Sequence, residues 1–84
     1  MEERIMTREE VVAKMIEYAA MAFQADAANI NENTNIAEEL GVASTQRVAM
    51  SASIENDFDV MIPVARFGNY KTIGELADFV MEEM

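Results

Sequence analysis

Ser44 is placed where a hydroxyl group could do chemistry, between a long asparagine-rich stretch and a predicted helix. The run Gly41-Val42-Ala43-Ser44-Thr45 puts this serine in the first turn of that helix. Backbone N–H groups in a first turn lack intrahelical partners, and the helix dipole favours a nearby anion. A phosphate ester on Ser44 would therefore lie in a favourable field. The alternative is that Ser44 only caps its helix, which is a common use of serine.

The sequence lacks the residues that most other reactive sites require. It contains no histidine and no cysteine, which excludes a serine–histidine–acid triad, thiol catalysis, cysteine-ligated zinc and disulfide bonds. The glycine spacing around Ser44 is not that of a nucleophile elbow. A calcium loop starting at Asn29 would need glycine and glutamate where the chain has Thr34 and Leu40. We therefore expect neither an enzyme nor a metal-binding protein.

Length and charge limit the class of protein and partner. The 84 residues, 51% of them hydrophobic, predict one small folded domain over residues 1–84. Six basic and sixteen acidic residues give a net charge of −10, which argues against nucleic acid and anionic membranes as partners. The longest apolar run, Tyr18 to Phe23, is too short to span a bilayer. The start, Met1-Glu2-Glu3-Arg4, lacks the apolar core of a signal peptide, so we expect a cytoplasmic monomer.

Capping and periodicity predict the first helix. Thr7 and Glu10 have the spacing of a capping box, and apolar residues then recur at steps of three and four. The helix is predicted from Arg8 to about Gln24. The residues predicted to be buried are Val12, Met15, Ile16, Ala19 and Phe23.

The rest of the chain predicts two more long helices and a short one. The second helix runs from Ser44 or Thr45 to Phe58 and the last from Ile73 to about Glu82, with residues 64–70 forming a turn or a single helical turn. The fold class is thus all-α, a small four-helix bundle with a long loop between helices 1 and 2. In the second helix Met50, Ile54 and Phe58 are expected in the core, with Val48 and Ala52 half covered. In the loop, Ile30, Ile36 and Leu40 are expected to contact the core.

The sequence around Ser44 resembles the acyl carrier proteins. In that family a threonine, an apolar residue and acidic residues precede Leu-Gly-x-Asp-Ser-Leu, and this chain has Thr34, Ile36, Glu38-Glu39 and Leu40-Gly41-Val42-Ala43-Ser44-Thr45. Downstream, Glu55 to Pro63 resembles the end of the family's second helix. Thr72-Ile73-Gly74-Glu75-Leu76 resembles the start of its last helix. The spacing from Ser44 to Phe58 and Pro63 matches without a gap.

The resemblance implies a carrier with a 4′-phosphopantetheine arm, derived from coenzyme A, attached to Ser44. The arm's thiol would hold acyl groups as thioesters for a specialised lipid, polyketide or related pathway. The implied partners are a phosphopantetheinyl transferase and acyl-transferring or synthase enzymes that dock on the second helix. The docking residues would be Thr45, Val48, Ala49 and Ala52.

The chain departs from the family at the positions next to its serine. Ala43 replaces the aspartate, Thr45 replaces the leucine, and Gln46 and Ala49 stand at acidic positions. Because alanine cannot cap a helix, Ser44 or Thr45 is expected to do so. Arg47 is the one charge between Ser44 and Ile54, and we expect it to repel a basic partner. An alternative function is an unmodified, carrier-like acidic adaptor that binds a partner protein.

Overall fold

The computed structural model describes residues 6–84, which form three long helices and one short helix and contain no β-strand. The long helices are α1 (Arg8–Phe23), α2 (Ser44–Phe58) and α3 (Ile73–Glu83), and a 3₁₀ helix, Val64–Asn69, lies between α2 and α3. The predicted all-α four-helix architecture is confirmed. The 3₁₀ helix is longer than the single turn expected there. Within residues 6–84, every helix is too short or too polar to cross a bilayer. Residues 1–5, on which the expected lack of a signal peptide depends, lie outside the described residues.

The threonine caps fix where α1 and α3 begin. Thr7 Oγ1 accepts a hydrogen bond from Glu10 N (3.2 Å), and Glu10 Oε1 accepts one from Thr7 N (2.9 Å), which confirms the predicted capping box. At α3, Thr72 Oγ1 accepts from Glu75 N (3.1 Å). The Glu75 carboxylate accepts from Lys71 N, one residue earlier than in a capping box. Both helices thus begin with a side chain bonded to a first-turn N–H group.

The buried face of α1 is broader than predicted, and its centre is different. Met15, Ala19 and Phe23 are buried as expected, but Val12 and Ile16 are only half-buried. Val11 and Tyr18 are buried instead, because α1 packs against both α2 and α3 and a wide sector of it is covered.

Tyr18 brings a polar group to the edge of this core. Its hydroxyl donates a hydrogen bond to the Asp57 carboxylate near the end of α2. Burial away from water raises the pKa of the Tyr18 hydroxyl above its ordinary value, and the hydrogen bond to Asp57 raises it further. Its ring meets Phe58 edge-on, with centroids 6.4 Å apart. The tyrosine therefore joins α1 to α2 through both polar and apolar contacts.

In α2 the predicted core residues Met50 and Ile54 are fully buried, whereas Phe58 is half-buried. Val48 and Ala52 were expected to be half covered, and Val48, at 50% exposure, is so, whereas Ala52 is exposed. No neighbouring element within residues 6–84 covers this side of α2, since α1 and the 3₁₀ helix pack against its other sides.

Short helical turns and apolar side chains organise the loop between α1 and α2. A 3₁₀ turn spans Ala27–Asn29, and a π-helical turn spans Ile36–Leu40. The expected apolar contacts are present, with Ile30 and Ile36 buried and Leu40 half-buried against the core. The loop is therefore packed along much of its length, as functional long loops commonly are.

Main-chain hydrogen bonds tie this loop to the start of α3. The bonds run from Ile36 N to Lys71 O (2.8 Å), from Ile73 N to Thr34 O (3.2 Å) and from Gly74 N to Glu32 O (2.8 Å). Asn35 and Thr72 form an isolated β-bridge at the same place. These contacts satisfy backbone groups that cross the surface of the bundle.

Arg8 adds an ionic contact to the same junction. Its guanidinium donates to Asp78 Oδ1 (2.8 Å) on α3 and to Glu32 Oε1 (2.6 Å) in the loop. The hydrogen bond to Asp78 raises the pKa of Arg8 above its ordinary value, and the hydrogen bond to Glu32 raises it further. Arg8, the first residue of α1, thus contacts both the loop and α3.

We expect Ser51→Ala to lower the free energy of unfolding by about 1 kcal/mol relative to Ser53→Ala. Ser51 Oγ donates to Ile62 O (2.6 Å), so its loss removes a partner from the carbonyl of the segment after α2. Ser53 Oγ donates to Ala49 O within α2 (3.2 Å), where the helix itself can supply a donor. Both changes replace serine with alanine in the same helix, so the gain in helix propensity is common to both. Urea denaturation of the two variants measures the difference, and equal stabilities would contradict the role of the Ser51 bond.

Candidate attachment site

Ser44 is the first residue of α2, and the residue before it occupies the N-cap position. Ala43 has extended backbone angles (φ −64°, ψ 129°), and its carbonyl accepts the first helical hydrogen bond, from Arg47 N at 3.1 Å. No side chain caps the helix within the described residues. The expectation that Ser44 or Thr45 is the cap is therefore wrong, because the chain enters the helix one residue earlier. Capping does not explain the serine at this position.

The hydroxyl of Ser44 is available for chemistry. Ser44 is exposed, as are its neighbours from Val42 to Thr45. The side-chain hydrogen bonds found among residues 6–84 do not include one to this hydroxyl. The first turn of α2 contains no acidic residue, so no carboxylate of this turn lies beside the hydroxyl. A group attached to the oxygen would extend into solvent without breaking an existing contact.

The end of α2 that carries Ser44 favours an anion. The N–H groups of Ser44, Thr45 and Gln46 precede the first intrahelical hydrogen bond and have no side-chain acceptor. The helix dipole adds a favourable field there. A phosphodiester on Ser44 would have its charge beside these donors, so the residues present fit a phosphate-linked group.

Gly41 directs the chain into α2. Its φ of 148° lies in a region that favours glycine, so the backbone angle rather than lack of space requires this residue. Its N–H closes the π-helical turn by donating to Ile36 O (2.8 Å). A Cβ atom on Gly41 would lie 3.6 Å from Phe23 Cδ1, which places this turn against the end of α1. The position of Ser44, three residues later, is set by this contact.

Asn35 is a positioning residue that the sequence analysis missed. Its Oδ1 accepts a hydrogen bond from Glu38 N (2.9 Å), and Glu39 Oε2 accepts one from Asn35 N (2.8 Å). The pattern of asparagine followed by glutamate three and four residues later resembles a capping box and could have predicted the turn.

The predicted docking residues Thr45, Val48, Ala49 and Ala52 are all exposed. Their spacing of three and four residues places them on one side of α2. Val42, before the helix, extends this uncharged side and is 63% exposed. We call these five residues the outer face of α2.

Arg47 does not lie on the outer face. It is half-buried, its Nε atom is buried, and it lines a cleft together with Glu38 and Lys71. The expectation that Arg47 repels a basic partner stays a prediction, although its side chain turns towards the loop and the 3₁₀ helix. The outer face is therefore uncharged rather than positive.

We expect Ala43→Asp and Ala43→Asn each to raise the free energy of unfolding by about 1 kcal/mol. Ala43 already has the extended backbone of an N-cap, so either side chain could accept a hydrogen bond from the first turn. Val42→Asp is the matched control, since it adds the same charge one residue before the cap and is expected to give no gain. Urea denaturation measures all three variants. An equal gain from Val42→Asp would show that charge alone, without capping, causes the effect.

Comparison with known proteins gives the family of the chain. A family model described as a phosphopantetheine attachment site matches residues 13–80. The acyl carrier protein of Lactobacillus acidophilus is 29% identical over 75 residues, which cover 89% of this chain and 94% of that protein. The matched region contains all of α2 and the turns that position Ser44. The chain therefore belongs to the acyl carrier protein family, whose members are carriers rather than enzymes and hold 4′-phosphopantetheine covalently.

Proposed function

We propose that Ser44 is the attachment site and that the protein, a cytoplasmic monomer, carries acyl intermediates for a specialised lipid, polyketide or related pathway. The observation that carries the proposal is the position of Ser44, exposed at the uncapped start of α2 within the region that matches the family. Its hydroxyl has the exposure that a transferase needs. The departures of the chain from the family pattern at Ala43, Thr45, Gln46 and Ala49 support a specialised pathway.

The chain's own residues present and orient the attached group. The Ser44 oxygen would be esterified to the phosphate, and the first-turn N–H groups would hold the negative charge of the phosphodiester. When bound, 4′-phosphopantetheine supplies the thiol on which acyl groups are held as thioesters. Met50 and Ile54 anchor α2 in the core, so the attachment point lies on a rigid element rather than on a loop.

The outer face of α2 is the proposed docking surface for the transferase and for acyl-transferring or synthase enzymes. It is uncharged although the protein as a whole has a net charge of −10. An enzyme that recognises acidic carriers would find no carboxylate on this face. We therefore propose partners with a flatter, weakly apolar contact surface, whose specificity comes from shape rather than charge.

The alternative proposal is an unmodified acidic adaptor, and the residues that favour it are Ala43 and Thr45. They replace the family's aspartate and leucine directly beside the serine. An adaptor would use the outer face for binding and would not need the Ser44 hydroxyl.

We expect incubation with coenzyme A and a permissive transferase to add one phosphopantetheinyl group, and Ser44→Ala to abolish the addition. Intact mass measurement follows the reaction. Because the hydroxyl has no hydrogen bond among the described residues, Ser44→Ala should leave the thermal unfolding midpoint nearly unchanged. Ser53→Ala is the matched control and should still be modified. Addition to the Ser44→Ala variant would assign the site elsewhere, and no addition to the parent protein by several transferases would favour the adaptor.

We expect Ala43→Asp combined with Ala49→Glu to improve use by a general transferase roughly fivefold at low salt. Both positions are exposed, and two surface ion pairs contribute about 1 kcal/mol together. Gln46 is left unchanged because it is half-buried near Gly41. The gain should appear in the association rate and decrease as salt is added.

The matched control is Ala43→Asn combined with Ala49→Gln, which adds similar side chains without charge. Rates of phosphopantetheinyl transfer at low and high salt compare the two double variants with the parent. An equal gain from the neutral variant would assign the effect to capping or shape. A parent rate equal to that of an ordinary acidic carrier would contradict the specialised-partner proposal.

A further inference from the structure

A groove of about 550 Å³ lies between the 3₁₀ helix and α3. Two aromatic residues, Tyr70 and Phe79, line it together with Arg66 and four carboxylates. The five residues of the outer face of α2 are not among those that line it. We call this space the α3 groove. It is a surface separate from the proposed docking side of α2.

The lining of the α3 groove is acidic. Four carboxylates stand against one guanidinium group, so the formal charge of the lining is −3. Asp78 Oδ1 accepts from Arg8, and the Glu75 carboxylate accepts from a backbone N–H group. The other two carboxylates, those of Glu82 and Glu83, are not joined to a cation by the ion pairs found among residues 6–84.

The position of Glu82 and Glu83 in α3 is unfavourable for the chain alone. They lie in the last turn of the helix, where the helix dipole is negative, and no basic residue lies in that turn. Cations are the groups that stabilise a helix end of this kind. Because the described residues do not supply one there, this end of α3 indicates a cation from outside the chain.

Arg66 shows how a guanidinium group binds in the α3 groove. Its Cζ atom lies 5.3 Å from the centroid of the Phe79 ring, and its Nη2 atom donates to the Tyr70 hydroxyl (3.3 Å). The two rings have centroids 5.0 Å apart and form one aromatic surface. Arg66 contacts this surface, and the ion pairs found among residues 6–84 do not include one between Arg66 and a carboxylate. The groove thus combines an aromatic surface that binds a guanidinium group with carboxylates that can bind further cations.

We propose that the α3 groove is a docking surface for an arginine-containing basic segment of a partner protein. Arginine fits both parts of the groove, since its planar group stacks on aromatic rings and binds carboxylates through paired hydrogen bonds. The charge of the lining selects this occupant, because nucleic acid and anionic lipid headgroups are repelled by it. The groove would orient such a partner on α3 and the 3₁₀ helix. The proposal does not depend on attachment of a group to Ser44.

The test titrates a hexa-arginine peptide into the ¹⁵N-labelled parent protein at about 0.15 M salt, where the field of distant carboxylates is screened. NMR chemical-shift changes locate the contact and give the dissociation constant. We expect the largest changes at the amides of Arg66, Tyr70, Phe79, Glu82 and Glu83. A hexalysine peptide should bind more weakly, because lysine has no planar group to stack on the rings.

Glu82→Gln combined with Glu83→Gln should weaken binding of hexa-arginine about fivefold, the loss expected for two exposed ion pairs. Glu9→Gln combined with Glu55→Gln is the matched control, because it removes the same charge from exposed residues that do not line the groove. The control should weaken binding by less than about twofold. Equal weakening by the two double variants would show attraction by net charge alone and would overturn the proposal.

Arg66→Gln should strengthen binding about threefold, because the chain's own cation then no longer occupies the Phe79 ring. Lys14→Gln is its matched control, since Lys14 is an exposed cation on α1 that does not line the groove. No gain from Arg66→Gln, or an equal gain from the control, would overturn the role of the aromatic surface. Shift changes centred on α1 or on the outer face of α2 would overturn the location. Equal affinity for hexalysine would overturn the assignment of arginine.

Discussion

The hydrogen bonds between the long loop and the start of α3 are the contacts on which the functional side of the molecule depends. As the loop crosses the bundle, some of its backbone N–H and C=O groups are buried away from water, and these need hydrogen-bond partners. Ile36 N finds one in Lys71 O, and this single bond has two consequences. It holds the π-helical turn whose end, Gly41, directs the chain into α2, and it places Lys71 next to that turn. Ser44 and the cleft that Arg47 and Lys71 line are thus positioned by the same junction.

The start of α2 shows how a substitution beside the serine changes more than one property. In the family pattern an aspartate at this position could both cap the helix and present a charge to a partner. Ala43 does neither, so the first-turn N–H groups keep their capacity for an external acceptor. A phosphodiester on Ser44 would then satisfy donors that no side chain satisfies. Attachment of an anion to Ser44 would therefore affect the stability of α2 more directly than in a helix that a side chain already caps.

The sequence predicted the parts of the structure that depend on local pattern. The Thr7–Glu10 capping box, the bounds of α2 and the burial of Met50 and Ile54 follow from spacing alone. Interpretations that depended on neighbouring elements were wrong or incomplete. Two helices cover α1, so Val11 and Tyr18 are buried where Val12 and Ile16 were expected.

One feature of the candidate site could have been read from spacing, and one could not. Helical periodicity places Arg47 off the side of α2 formed by Thr45, Val48, Ala49 and Ala52, and this was not used when Arg47 was expected to repel a docking partner. No local sequence pattern indicated that Lys71 lies at the cleft. The bridge between Asn35 and Thr72, which brings Lys71 there, joins residues far apart in the sequence.

The distribution of charge separates two kinds of recognition. Most carboxylates lie on other elements, among them Glu9, Glu10 and Glu17 on α1 and a group on α3, and those of α2 itself, Glu55 and Asp57, lie near its end. Their field extends roughly 8 Å at physiological salt, so it attracts a basic partner to those positions rather than to the outer face. Recognition at the outer face must then come from direct contact with small side chains, which tolerates little mismatch in shape. The positive charge that α2 does contain, Arg47, turns towards the loop and the 3₁₀ helix and away from the outer face. An enzyme that docks on the outer face would therefore be selected by the shape of small uncharged side chains, while the charge of the protein would act on it only from other elements.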